Sequence, residues 1–147
     1  MTVEITRLGV GTSYPTAALR SIAETLLRAV KQSRAELSIA LVGDREMRPL
    51  NSKYRKKRKT TDVLSFFVEG QPPPGVKILG DVVISVEQAR RQAQACGRTL
   101  KSEMVTLLIH GVLHLLGYDH EKSARQAKIM FAYEQKLYAH LCDRGLL

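Results

Sequence analysis

Residues 106–120 read TLLIHGVLHLLGYDH, and the way this stretch folds decides how the rest must be arranged. Between Thr106 and Leu116 almost every residue other than His110, Gly111 and His114 is apolar. A helix with that composition has no solvated face of its own, which predicts a central position. An imidazole buried there without a partner would be costly. His110 and His114 stand four residues apart, about one helical turn, so both rings project from one side and can hold one metal ion. Gly117 can take the left-handed conformation that ends the helix and turns the chain back. His120 then arrives three residues later, placed to supply a third nitrogen.

Working outward from this helix, Thr99 is its predicted N-cap, with Ser102 or Glu103 in the first turn. Residues 79–85 alternate as a strand whose Val82 and Ile84 share a face, and residues 86–96 follow as a helix ended by Gly97. Residues 62–68 are rich in β-branched and aromatic side chains and predict a strand, whereas residues 70–75, with three consecutive prolines, predict a loop. Nearer the start, residues 3–8 alternate like a short strand. Pro15-Thr16 opens a helix to about residue 31, with Leu19, Ile22, Ala23, Leu26 and Val30 on one face. Residues 37–42 predict another strand, followed by a Gly43-Asp44 turn, Asp44 as N-cap, and a helix over 45–54. A last helix spans 123–142. The order predicts one α+β domain over residues 1–147: a mixed sheet of about four strands packed with about five helices, and a metal site at the end of the central helix.

Composition bounds the function. The chain is 147 residues long and 44% hydrophobic, enough for one domain with a core and too apolar for a disordered segment. No run approaches the roughly 20 apolar residues of a membrane span. The first ten residues contain Glu4 and lack the basic start and apolar centre of a secretory signal. Cys96 and Cys142 lie far apart, each in a predicted helix and outside any CxxC pattern, which suits reduced thiols in a cytoplasmic protein.

The pattern HxxxHxxGxxH over residues 110–120 is the ligand spacing of metzincin zinc proteases, except that Gly111 stands where those enzymes carry a glutamate base. Three neutral imidazoles without a sulfur ligand favour one zinc ion, with nickel or copper possible on affinity grounds. Structural zinc sites close with four protein ligands. Here three are evident, so the fourth position is expected to be open, as in catalytic sites. Three neutral ligands also leave the full 2+ charge, which suits an anionic substrate. Asp119, beside His120, is a candidate for orienting a ligand ring and equally for a turn. His140, alone on the last helix, reads as a surface or internally satisfied histidine.

The net charge of +9 is mostly local: residues 53–59 read KYRKKRK, six cations in seven residues, and without them the charge would be +3. Lys and Arg neutralise phosphates, Arg clamps a phosphoryl oxygen with two donors, and Tyr54 is placed to stack on an unpaired base. The run leads directly into TDVLSF at residues 61–66. Taken with LNSKYR (50–55), LGDVVIS (79–85), Glu103 and HGVLHLLGYDH (110–120), the chain resembles the YbeY family, bacterial rRNA maturation factors described as single-strand-specific endoribonucleases. The resemblance implies zinc ligation by His110, His114 and His120 and a functional arginine at Arg55. It also implies rRNA as substrate, and the small ribosomal subunit with its assembly factors as partners. The chain departs from the family in one place: Lys56, Lys57 and Arg58 replace a short glycine- and acid-containing turn.

The expectation is therefore a zinc-dependent endoribonuclease with Arg55 and the ligand His110 as catalytic residues. Lys53, Tyr54, Arg55, Lys56 and Lys57 are its candidate RNA contacts. Asp119, Asp81 and Glu103 are the carboxylates available as a base. Two rivals stand beside it. A metallopeptidase is disfavoured by Gly111 and the positive run; a ribosome-binding scaffold with a structural metal would share that run and differ in metal-site openness and activity.

Overall fold

The computed structural model describes residues 2–10, 15–55, 63–67 and 72–147, with residues 51–55 described by backbone alone. Among the described residues the order is β1 (Thr2–Leu8), α1 (Thr16–Ala29), β2 (Ala35–Val42), α2 (Asp44–Arg55), β3 (Val63–Phe66), β4 (Lys77–Ser85), α3 (Val86–Ala95), α4 (Leu100–Leu115) and α5 (Ala124–Asp143). The strands form one sheet in the order β1-β2-β4-β3. The helical crossover α1 makes β1 and β2 parallel, and β2 and β4 are also parallel; β3 runs antiparallel to β4 at the sheet's edge. The mixed α+β architecture expected from the sequence is what forms.

Alternation along the strands assigns the two faces. Leu37, Ile39 and Leu41 of β2 and Val82 and Ile84 of β4 enter the main core with Leu19, Ile22 and Leu26 of α1 and Leu108 and Val112 of α4. On the other face Val42, Val83 and Leu64 pack with Met47 of α2. Helix α4 is central as predicted, and ten of its sixteen residues are buried. It is pressed unusually close to the sheet at Gly111, where an added Cβ would fall 2.7 Å from Val82 Cγ1 and 3.2 Å from Ser65 Oγ. The Ser65 hydroxyl donates to the Gly111 carbonyl at 3.0 Å, tying β3 to the turn that carries His110.

Asp44 does not cap α2 as the sequence suggested. It is the first helical residue, and the Gly43 carbonyl accepts the first helical bond, from Met47 N at 3.0 Å. The Asp44 N–H donates to Glu87 Oε1 at 3.1 Å, while its carboxylate takes two bonds from Arg91, at 2.7 and 2.9 Å, and one from Ser85. The Arg91 guanidinium holds the Asp44 carboxyl below its usual range. The partner that claims this side chain lies on α3, beyond the reach of local sequence reading.

Candidate metal centre

The caps of α4 fix where its histidines point. At the N-terminus Thr99 Oγ1 accepts from Ser102 N at 3.1 Å, the cap expected from the sequence. At the other end Gly117, with φ +99°, is the left-handed residue of a Schellman turn: Gly117 N donates to the His114 carbonyl and Tyr118 N to the Leu113 carbonyl, each at 3.0 Å. The turn reverses the chain and returns His120 to the side of α4 that bears His110 and His114. That side is a narrow polar stripe of Glu103, Thr106, His110 and His114 bordering a cleft of about 1190 Å³. Helix α4 therefore has a solvated edge after all. Spaced three or four residues apart among leucines and valines, these residues escape a reading that weighs composition alone.

The three imidazoles converge. Ring centroids are 4.6 Å apart for His110 and His114, 5.0 Å for His110 and His120, and 5.3 Å for His114 and His120. One nitrogen from each ring lies within 4.8 Å of the others. The Nε2 atoms of His110 and His114 are 3.1 Å apart. Tetrahedral zinc with Zn–N bonds of about 2.0–2.1 Å needs neighbouring nitrogens roughly 3.3 Å apart. The first pair thus already has that spacing, and the widest pair reaches it by closing about 1.5 Å at most. The donor set fits one such ion, which these three side chains would hold at the wall of the cleft.

A residue that the sequence reading did not single out completes the site. Glu134 Oε2 lies 3.0 Å from His110 Nδ1, with both side chains largely buried. A carboxylate beside Nδ1 fixes the proton on that nitrogen and leaves Nε2 as a lone pair aimed at its neighbours. Glu134 falls on the inward stripe of α5 with Met130, Tyr133, Leu137 and Leu141. An acid at an apolar position of that stripe was the available signal.

Gly111 gives the peptidase comparison a physical answer. Its Cβ direction points into Val82 and Ser65, so a glutamate there would collide with the sheet.

A family model described as endoribonuclease YbeY matches residues 9–142. The chain belongs to this family. Among curated YbeY relatives it is 50% identical to one from Myxococcus xanthus over 88% of this chain and 43% of that one. It is 40% identical to one from Persephonella marina, over 84% and 81% of the two chains, and 51% identical to one from Aquifex aeolicus, over 72% and 70%. The chain thus spans less than half the Myxococcus protein and most of the other two. A solution structure of a Thermotoga maritima protein superposes with TM-score 0.66 at 27% identity, covering 96% of this chain and 91% of that one.

The other predicted residues of this YbeY-family chain fall into place unevenly. Asp119 Oδ1 accepts from Glu121 N at 2.9 Å, a turn contact, and the residue also borders the cleft beside His120. Asp81 is exposed on β4 and does not border the cleft; Glu103 does, but it is buried and paired with Arg98 at 3.2 Å. His140, Cys96 and Cys142 are exposed, and both thiols are free. Lys53, Tyr54 and Arg55 form the last residues of α2, while Lys56 and Lys57 lie outside the described residues. Among the described residues no helix is long and apolar enough to cross a membrane.

Proposed function

We propose that this chain is a zinc-dependent endoribonuclease that hydrolyses phosphodiester bonds in single-stranded rRNA during ribosome maturation. It works in the cytoplasm on the small ribosomal subunit, alongside assembly factors. The observation that carries the reading is the convergence of three imidazoles at the wall of an open cleft, in a YbeY-family chain whose positive excess lies next to that cleft's edge strand in sequence.

His110, His114 and His120 hold the ion. When bound, zinc supplies a compact positive charge and Lewis acidity toward a phosphoryl oxygen. The protein's own groups do the rest. Glu134 keeps His110 in the ligating tautomer and fixes its ring. Arg55 stabilises charge that develops on the phosphoryl group as the P–O bond breaks. Lys53, Lys56 and Lys57 neutralise neighbouring phosphates and Tyr54 stacks on a base, so the strand is held by contacts that ignore sequence.

The test is cleavage of a labelled single-stranded RNA by protein of verified zinc content, with a chelated control and a restored one. Cutting that disappears with the chelator and returns with zinc supports the reading. Equal cutting in all three samples, or none in any, refutes it.

A further inference from the structure

The histidines form one wall of the cleft and residues 63–67 border it from another side. Val63 packs into the main core and Leu64 into the cluster beneath α2, on opposite faces of the sheet, yet both border the cleft. The cleft therefore runs along the outer edge of β3, the terminal strand of the sheet. Phe67 is the first residue beyond that strand and is 65% exposed. The other exposed large apolar residues among those described are Leu8, Ile129 and Phe131, and none of them borders this cleft. A phenyl ring left in water on the cleft that also holds the three imidazoles is matched by a ligand that carries flat apolar faces and, where zinc would be held there, an anionic backbone. An unpaired nucleotide strand has both properties. In a duplex the base faces are already stacked on one another and unavailable to a side chain.

Resting on the RNA reading above, we infer that Phe67 is the base-stacking platform of the cleft and selects single-stranded over duplex RNA. Every base presents a π-face, so the contact discriminates strandedness without discriminating sequence. Edge strand β3 sets the position of the ring, and the Ser65 bond to α4 fixes that strand relative to His110.

The experiment compares zinc-loaded wild-type protein with Phe67→Ala, Phe67→Leu and Phe67→Trp. Each is mixed rapidly with a short RNA carrying 2-aminopurine, as a single strand and as a blunt duplex, and read before turnover. The residue is exposed, so folding is not at stake, and zinc content is measured on each sample. Phe67→Ala should weaken single-strand binding about tenfold and remove the part of the stacking quench that Tyr54 does not supply, with duplex binding and zinc unchanged. Leucine should behave like alanine despite its apolar bulk, and tryptophan should retain both affinity and quench. Wild-type binding that ignores residue 67, or a loss equal for single strand and duplex, overturns the stacking role alone. Wild-type protein that binds neither RNA form overturns the RNA reading itself, and the stacking role with it.

Discussion

Removing Glu134 isolates what the protein contributes to its metal site beyond the three ligands. In Glu134→Ala, His110 loses the acceptor 3.0 Å from Nδ1, and its ring is free to rotate or to shift its proton to Nε2. A hydrogen bond to an ionised group contributes about 1.5–3 kcal/mol net. The His110 and Glu134 side chains keep 25% and 18% of their exposure, so the lower part of that range applies, about 1.5–2 kcal/mol. Charged to the zinc-bound state, this is roughly a 10- to 30-fold loss of zinc affinity, inside the 10- to 100-fold span usual for partners of metal-binding histidines. Glu134→Gln keeps a neutral acceptor and should lose only about fivefold. Competition against a chelator of known affinity measures both variants without recourse to activity, and far-UV circular dichroism checks the fold. Zinc affinity within twofold of wild type in Glu134→Ala would show that His110 is oriented by packing alone.

Gly111→Ala should lower stability even though alanine is favoured over glycine in helices by about 1 kcal/mol, because the new methyl meets Val82 at 2.7 Å and overpacking costs about 1–3 kcal/mol. Thermal denaturation should register a fall of up to about 8 °C, relieved when Val82→Ala is added, and a rise in melting temperature would contradict the close packing. Replacing Lys56 and Lys57 by alanine should make the slope of log affinity against log salt shallower by about 1.4 for a single strand; an unchanged slope would mean that these lysines do not meet phosphate. Arg55→Ala should leave zinc content and RNA binding nearly intact while single-turnover cleavage falls about 10²-fold or more, whereas Lys57→Ala should mainly weaken binding. Equal small losses in both would favour a scaffold that holds RNA without cutting it.

The pattern of what the sequence revealed follows the range of the forces involved. The apolar face of α1, the central position of α4, the shared face of Val82 and Ile84 on β4 and the caps at Thr99 and Gly117 are local, and each was legible from neighbours within a few residues. The three histidines were legible for the same reason, since one helical turn and one Schellman turn bring them together. Glu134 lies 24 residues beyond His110 on another helix, and only the packing of α5 against α4 brings it to the ring. Asp44 was misread as a cap because Arg91 on α3 outcompetes the local backbone for its carboxylate. The preference for glycine at 111 was visible as a missing glutamate, but its cause, the approach of Val82 and Ser65, belongs to the tertiary structure.

The central claim is that His110, His114 and His120 act together as one zinc site, and elemental analysis of purified His114→Ala beside wild type tests it most directly. Two imidazoles hold the ion far less well than three, so wild type should carry about one zinc per chain and the variant should lose most of it. Near-stoichiometric zinc in His114→Ala, or none in the wild type after zinc loading, would contradict the claim.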